Sequence, residues 1–440
     1  MTKFQNSSEP ETGTRRRARL LAGTAVAICL GVTALAAGPA YADEVDDLRA
    51  ENAALEARLE ALATDMDVLR AQVAANRVAA ADATEAAEAV AAVPQSVVTA
   101  GNPDTSLSIS GQVNRMVLYA DDGNQSRFFQ ADNDKSSTRI RFQGKRKMDE
   151  EWSAGTNIEV QFESNASGDV TIDQNASVID NNSFTERKLE VYVASDRLGK
   201  LSLGQGDTAS NGTAEVDLSG TTAISNSEIA TIANEVDFVL SGTAGTSSGD
   251  DPGDLYSNND GLSRDDRIRY DTPSFAGVKL STSWVDGDEW DIAARYGRDY
   301  DGFNVALGAS YWDSSPTNGL TGLSMSGSVK ADFGTSLTGA WSQADSETVG
   351  RDTETFWFAK LGHQWSPFDI GSTAVSASYA NTDDQEANGK GGDYMDVAVV
   401  QKIDGLGAEL YGMIGQFEPD VPEAQLEALT VGGAGARVKF

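Results

Sequence analysis

The chain has 440 residues with 34 basic and 67 acidic side chains, a formal charge of −33, so a polyanion such as duplex nucleic acid would be repelled. Only 40% of residues are hydrophobic and 43 are glycine, above the usual share of about 7%, which is unlike a thick soluble core. One cysteine, Cys29, and one histidine, His363, exclude an internal disulfide and a multi-histidine metal site.

In chain order, Arg15, Arg16, Arg17 and Arg19 precede an apolar run from Leu20 to Ala37, then Gly38-Pro39 and the small-x-small triplet Ala40-Tyr41-Ala42. This predicts a signal peptide over 1–42, with a retained membrane anchor as the other reading. Cleavage there leaves an exported, acidic chain without cysteine. Residues 43–93 then carry a heptad seam: Val45, Leu48, Asn52, Leu55, Leu59, Leu62, Met66, Leu69, Val73 and Asn76 alternate steps of three and four. That spacing predicts a self-associating coiled coil, with Leu48, Asn52, Leu55, Leu59, Leu62, Met66 and Leu69 as oligomerisation residues and the seam asparagines setting register. At about 1.5 Å per residue it would reach roughly 60–70 Å. A linker over 94–106 follows.

From 107 to 440 the period becomes two. Ile140 and Phe142 alternate with Arg139, Arg141, Gln143 and Lys145, and the same greasy and wet faces recur through Trp152–Phe162, Val278–Trp284, Phe303–Tyr311, Thr355–Leu361 and Thr373–Tyr379. Sixteen such segments fall at about 107–119, 137–147, 152–163, 185–195, 199–206, 264–272, 277–286, 289–299, 303–313, 321–332, 335–344, 353–365, 372–380, 393–403, 406–417 and 429–440. Tight turns such as Asp196–Gly199 and Asp332–Gly334 alternate with long polar connections such as 207–263. Trp152, Tyr296, Phe303, Trp365 and Phe440 lie toward the short turns, and Tyr119, Trp284, Trp290, Tyr311, Trp341 and Tyr379 toward the long loops. Two aromatic girdles at the ends of even-numbered strands predict an all-β transmembrane barrel, a 16-stranded antiparallel up-and-down β-barrel behind an N-terminal α-helical coiled coil.

Ser137–Gly144 (STRIRFQG), Leu198–Asp207 (LGKLSLGQGD) and Asp266–Gly277 (DRIRYDTPSFAG) resemble the general trimeric porins of Gram-negative outer membranes over essentially all of 107–440. The resemblance implies a homotrimeric, water-filled channel for passive diffusion of ions and small hydrophilic solutes, in contact with outer-membrane lipid and lipopolysaccharide. It implies that the terminal Phe440, with Val438 and Ala436 on its face, is read by the barrel-insertion machinery. It also implies that 207–263 folds inward as a constriction loop. The loop's acids are Glu215, Asp217, Glu228, Glu235 and Asp237, and the wet face of the facing strands carries Arg139, Arg141, Lys145, Arg267 and Arg269. Opposed charges across a constriction set up a transverse field that sorts solutes by charge and dipole. The overall charge favours cations, whereas the arginines argue the other way. The coiled coil, an addition to the commonest members of that family, is expected in the periplasm.

Acid clusters at Asp121-Asp122, Asp132–Asp134 and Asp250–Asp260 offer oxygen ligands for Ca²⁺, with solvated loops as the plainer reading. No cofactor, nucleic-acid partner or enzymatic activity is expected, since His363 shares the lipid-facing parity of Thr355, Trp357, Ala359 and Leu361 and no other group completes a triad. Two further readings stay open: a substrate-specific channel, and a barrel that anchors the coiled coil toward the cell wall.

Overall fold

The computed structural model describes residues 104–172, 184–422 and 424–440. The leader, the heptad seam with its oligomerisation residues, and most of the linker lie outside the described residues.

The strands are β1 (Thr105–Asp121), β2 (Ser126–Asp132), β3 (Arg139–Lys147), β4 (Trp152–Phe162), β5 (Phe184–Ser195), β6 (Gly199–Asp207), β7 (Arg264–Asp271), β8 (Val278–Val285) and β9 (Trp290–Tyr300). They continue with β10 (Phe303–Asp313), β11 (Leu320–Ala331), β12 (Thr335–Ser346), β13 (Glu354–Phe368), β14 (Gly371–Asp383), β15 (Gly391–Ile403), β16 (Ala408–Asp420) and β17 (Leu429–Lys439). From β3 onward each strand pairs antiparallel with the next. The sheet closes where Gln112–Asp121 of β1 pairs with Thr430–Lys439 of β17. Closure leaves no open edge, which is what lets strands cross lipid.

Along its other edge β1 pairs first with β3 and then with β2. Those two segments therefore form one interrupted stave, and the barrel has sixteen. The sequence reading placed the start of that stave at 137 and missed β2, because a short turn at Asp134–Ser136 breaks the alternation. Inward amides on β1 repair the break: Gln112 Nε2 donates to the carbonyls of Ser136 (2.9 Å) and Ser137 (2.8 Å), and Asn114 Nδ2 donates to Ser136 O (2.8 Å). At the closing seam Phe440 exchanges two backbone bonds with Gly111 (2.9 and 3.0 Å). A side chain at Gly111 would lie 2.6 Å from the Phe440 ring, so the small residue makes room for the terminal aromatic.

Side chains alternate as the period of two requires. On β12, Leu337, Gly339 and Trp341 face out while Ser336, Thr338, Ala340 and Ser342 are buried within. The outward aromatics pair across strands at both rims. Tyr119–Phe128 (4.9 Å), Trp290–Tyr311 (5.4 Å) and Trp357–Tyr379 (5.1 Å) mark the long-loop end, and Tyr300–Phe303 (5.1 Å) marks the short-turn end. His363 stacks on Trp365 and shares a hydrogen bond with Thr335 (2.9 Å) near the short turns.

The inner face is not uniformly wet. Met116, Leu118, Phe356, Phe358, Tyr394, Tyr411, Met413, Phe417, Leu429 and Val431 point into the barrel from β1, β13 and β15–β17 and belong to one buried apolar cluster. The segment between β6 and β7 supplies the other half of that cluster, including Ile224, Ile229, Ile232, Val236, Phe238, Leu255 and Tyr256. A globular core thus fills one side of the lumen, with Tyr256 and Tyr394 both packed on Phe417 (5.0 and 4.5 Å).

Candidate pore constriction

The connection between β6 and β7 follows the inner wall in strand order. Ala209 N donates to Ser283 Oγ on β8 (2.6 Å), and Ser210 N donates to Asp291 Oδ2 on β9 (2.7 Å). Thr213 Oγ1 meets Ser310 Oγ on β10 (2.6 Å), while Val216 N and Leu218 N donate to Ser326 and Ser328 on β11 (2.8 and 3.0 Å). Lys360 on β13 donates to Asp217 Oδ2 (2.8 Å) and Ser225 O (2.7 Å), Thr221 meets Ser376 on β14 (2.9 Å), and Ser225 Oγ donates to Asp396 on β15 (3.0 Å). Asn133 Nδ2, from the break before β3, donates to Ala223 O (2.9 Å). The loop is a belt on the inside of the barrel. Short hydroxyls suit the task, because they satisfy a passing backbone without holding it away from the wall.

The remaining wall, β3 to β7, carries the positive charge. Arg139, Arg141 and Arg187 surround the buried Glu159, with the Arg187 Nε contact at 2.9 Å and the Arg139 contact at 3.9 Å. Lys188 and Arg264 share Asp207 at the root of the loop, Arg264 at 2.9 Å. Each acid is outnumbered by its cations, so the wall keeps a positive excess.

The candidates read from the sequence take several different places. Arg139 and Arg141 lie together on that wall, and Lys145 stands exposed further along β3. Arg267 is not a free lumen charge: its side chain is 3% exposed, paired with Glu190, and donates through Nε to Asp207 O (2.9 Å). Arg269 is bound to Asp271 (2.8 Å) and to Thr208 O (2.7 Å). Both guanidiniums brace the loop's root. Asp217 is taken by Lys360, the side chains being 3% and 0% exposed. Glu235 and Asp237 are exposed beyond the belt, with Asp237 accepting from Ser247 Oγ (2.6 Å).

Glu215 and Glu228 come together with Asp260, which accepts from Ala214 N (2.6 Å) on the loop's return leg. Burial first, then Glu228 and Asp260, push the Glu215 carboxyl up to about 8. Burial likewise pushes Asp260 up to about 7 and raises Glu228, against the pull of Lys135, Arg264 and Arg187. The largest part of that pull comes from Lys135 in the turn before β3, and Arg264 and Arg187 of the wall add to it.

Arg187, Arg264, Lys360 and Arg295, which holds Ala209 O (2.8 Å) and Asn211 O (2.6 Å), escaped the sequence reading. The available signal was the run of hydroxyls at inward positions Ser310, Ser324, Ser326, Ser328 and Ser342, where a solvent-filled lumen would accept longer polar chains.

Among the acid clusters, Asp250, Asp254 and Glu386 gather within 4.8 Å of one another. Lys390 Nζ already bonds Asp250 (2.6 Å) and Glu386 (3.2 Å), so an ammonium neutralises the group. Asp122 accepts from the backbone of its own turn, and Asp132 is bound by Arg115 (2.6 Å).

A family model described as Gram-negative porin matches residues 71–420. The chain belongs to the Gram-negative porin family. Among solved structures it is similar to an anion-selective porin from Comamonas acidovorans, at 18% identity and a TM-score of 0.52, covering 76% of this chain and all of that one. It is also similar to OmpT, an outer membrane protein of Vibrio cholerae, at 11% identity and a TM-score of 0.51, covering 78% of this chain and all of that one. Identities this low speak for the fold alone. Among curated proteins none matches. The protein is thus an outer-membrane porin, a passive channel and not an enzyme.

Two tests follow from the belt. Lys360→Met strands a buried Asp217 charge, a loss of about 3–5 kcal/mol for a broken buried pair, so the loop should detach and single-channel conductance rise; Lys360→Met with Asp217→Leu should restore the wild-type step. A single variant with unchanged conductance would mean the belt holds without this pair. Titration of the acids gives the second. Their protonated forms dominate in the folded channel where the unfolded chain, near 4.5 for Glu, is already ionised, so stability falls as pH rises from about 4.5 to about 8. Over pH 6–9 the loop face gains negative charge, and the reversal potential in a salt gradient should move toward cation preference. A flat profile would exclude these acids from the channel border.

Proposed function

We propose that this porin passes small hydrophilic solutes and ions by diffusion through a constriction bounded by Arg139, Arg141, Arg187 and Arg264 on one side and by Glu215, Glu228 and Asp260 on the other. The observation that carries the reading is the inward belt, whose hydrogen bonds to Ser283, Asp291, Ser326 and Ser328 hold the loop's acids inside the barrel that the arginine wall also lines. Water and dipolar solutes passing between them are ordered by the transverse field, and sorting takes place at the narrowest section and not at the acidic vestibule. With two of the acids titrating near or above neutrality, the positive excess prevails there, giving a weak anion preference at pH 7. The acidity of the whole chain is then irrelevant to selectivity, because most of it sits away from the constriction.

The channel is a homotrimer in this reading, with the long loops outside the cell and the short turns and coiled coil in the periplasm. Support for a covered outer face comes from Arg115 and Asp132. Arg115 stands 44% exposed on the outward parity of β1, beside Gln130, while its partner Asp132 (2.6 Å) is buried under Ser164 and Asn165 of the same chain, so the guanidinium is the charge left facing outward. A charge facing lipid there costs about 2–4 kcal/mol near the midplane, and a neighbouring copy removes that exposure. The seam residues Leu48 to Leu69 would reinforce the same assembly from below.

Planar-bilayer recording tests the channel. Arg139→Gln with Arg141→Gln leaves Arg187 on Glu159 and is expected to shift the reversal potential toward cations without closing the pore; an unchanged potential would place the constriction elsewhere. Leu55→Pro with Leu62→Pro costs about 3 kcal/mol or more per helix break and should lower the heat and detergent resistance of the trimer on gels while each barrel stays open. Equal resistance would remove the coil from trimer stability.

A further inference from the structure

The short turns carry a pattern that channel function does not use. Met148, Leu198, Phe275, Phe333, Ile370 and Leu406 stand at the tips of six of the seven hairpin turns at that end, all exposed in the monomer. At the seventh, Tyr300 and Phe303 stack across the turn (5.1 Å). At the opposite end, among the described residues, Val349 is the one exposed large apolar side chain in the loops between strands. Turns are ordinarily polar, and apolar tips scattered singly would need no account. One at nearly every turn of one end, and almost none at the other, is a ring.

We infer that this ring is a lipid-binding rim: the tips of the short turns sit among the headgroups of the inner phospholipid leaflet, on the periplasmic side of the aromatic girdle. The inference rests on the porin reading only in taking the outer wall as lipid-facing. Two observations choose lipid over a protein partner. The ring is continuous with the apolar wall, since Phe275 bridges Val278 and cross-strand partners share a face, and Val278 belongs to the outward row of β8. The ring also runs around the circumference, from the turn after β3 to the turn after β15. A docked protein covers one sector; a leaflet covers every sector that no neighbouring copy occupies. Interfacial burial of this kind holds amphipathic surfaces at the headgroup boundary. The consequence is a barrel fixed in depth from its periplasmic side.

The test uses the full chain with Cys29→Ser, reconstituted in phosphatidylethanolamine–phosphatidylglycerol vesicles, with single cysteines at Phe275→Cys, Phe333→Cys and Leu406→Cys carrying a polarity-sensitive fluorophore, and Val349→Cys as the water-exposed reference. Expected are blue-shifted emission, quenching by phospholipids brominated near the headgroup, and loss of iodide quenching at the three turn sites but not at Val349→Cys. Iodide quenching equal to that of the reference would overturn the inference. So would protection from both quenchers that disappears when residues 43–100 are deleted, since the occupant would then be the chain's own N-terminal segment. Single-channel conductance recorded on the same samples separates failure of this inference from failure of the channel reading. As a second readout, Phe275→Ser, Phe333→Ser, Ile370→Ser and Leu406→Ser combined should slow insertion into vesicles while the folded band in detergent persists; unchanged insertion would count against the rim.

Discussion

The structure depends on one constraint: backbone polar groups that cross lipid must find partners within the protein. Closure of β1 on β17 satisfies it for the strands, and the interior must then satisfy it again for a loop of more than fifty residues folded inside. The solution is to place hydroxyls and short carboxylates at successive inward positions, so that the loop's N–H groups find Ser283, Asp291, Ser326 and Ser328 in turn. A wall of long charged chains could not have been lined so closely. The serine run therefore sets where the loop lies, and the loop sets the section of the channel.

Electrostatics follow from that placement. Because the belt and the apolar cluster occupy the side of β8 to β17, what remains open faces β3 to β7, where arginines cluster on Glu159 and Asp207. Each of these carboxylates is neutralised by one cation and leaves the others in excess. Arg267, Arg269 and Arg295 face the loop's root instead, and spend their donors on backbone carbonyls. The same residue type at neighbouring inward positions thus performs two jobs, separated by whether a carbonyl or open space lies in front of it.

How much of this could be read in advance depended on the range of the interaction. Period two and the girdle aromatics are local, and they give the sixteen staves and the outward faces of strands such as β10 and β12. The interruption between β2 and β3 was missed because its remedy, the amides of Gln112 and Asn114, sits some twenty residues away. The arginines of β3 were visible as lumen residues, but nothing in Arg267 itself tells that Glu190 waits across the sheet. Phe356 and Phe358 alternate with Trp357 in a run that is apolar on both faces; such a run marks a strand packed on both sides, and here the inner packing is supplied by Ile224, Phe238 and Tyr256.

That inner core has a consequence for assembly. Ile224 approaches the position that a side chain on Gly433 would occupy, beside Met116, so elements from the beginning, middle and end of the barrel meet at one point. The loop emerges from the chain long before β15 to β17, yet its final contacts lie on them: Ser225 reaches Asp396 across 171 residues. Until the last hairpins arrive, its isoleucines and Phe238 have no apolar wall to cover them. Synthesis order and packing order are therefore opposed in this protein, and the half-built barrel is a species whose greasy interior needs shelter before the seam is shut.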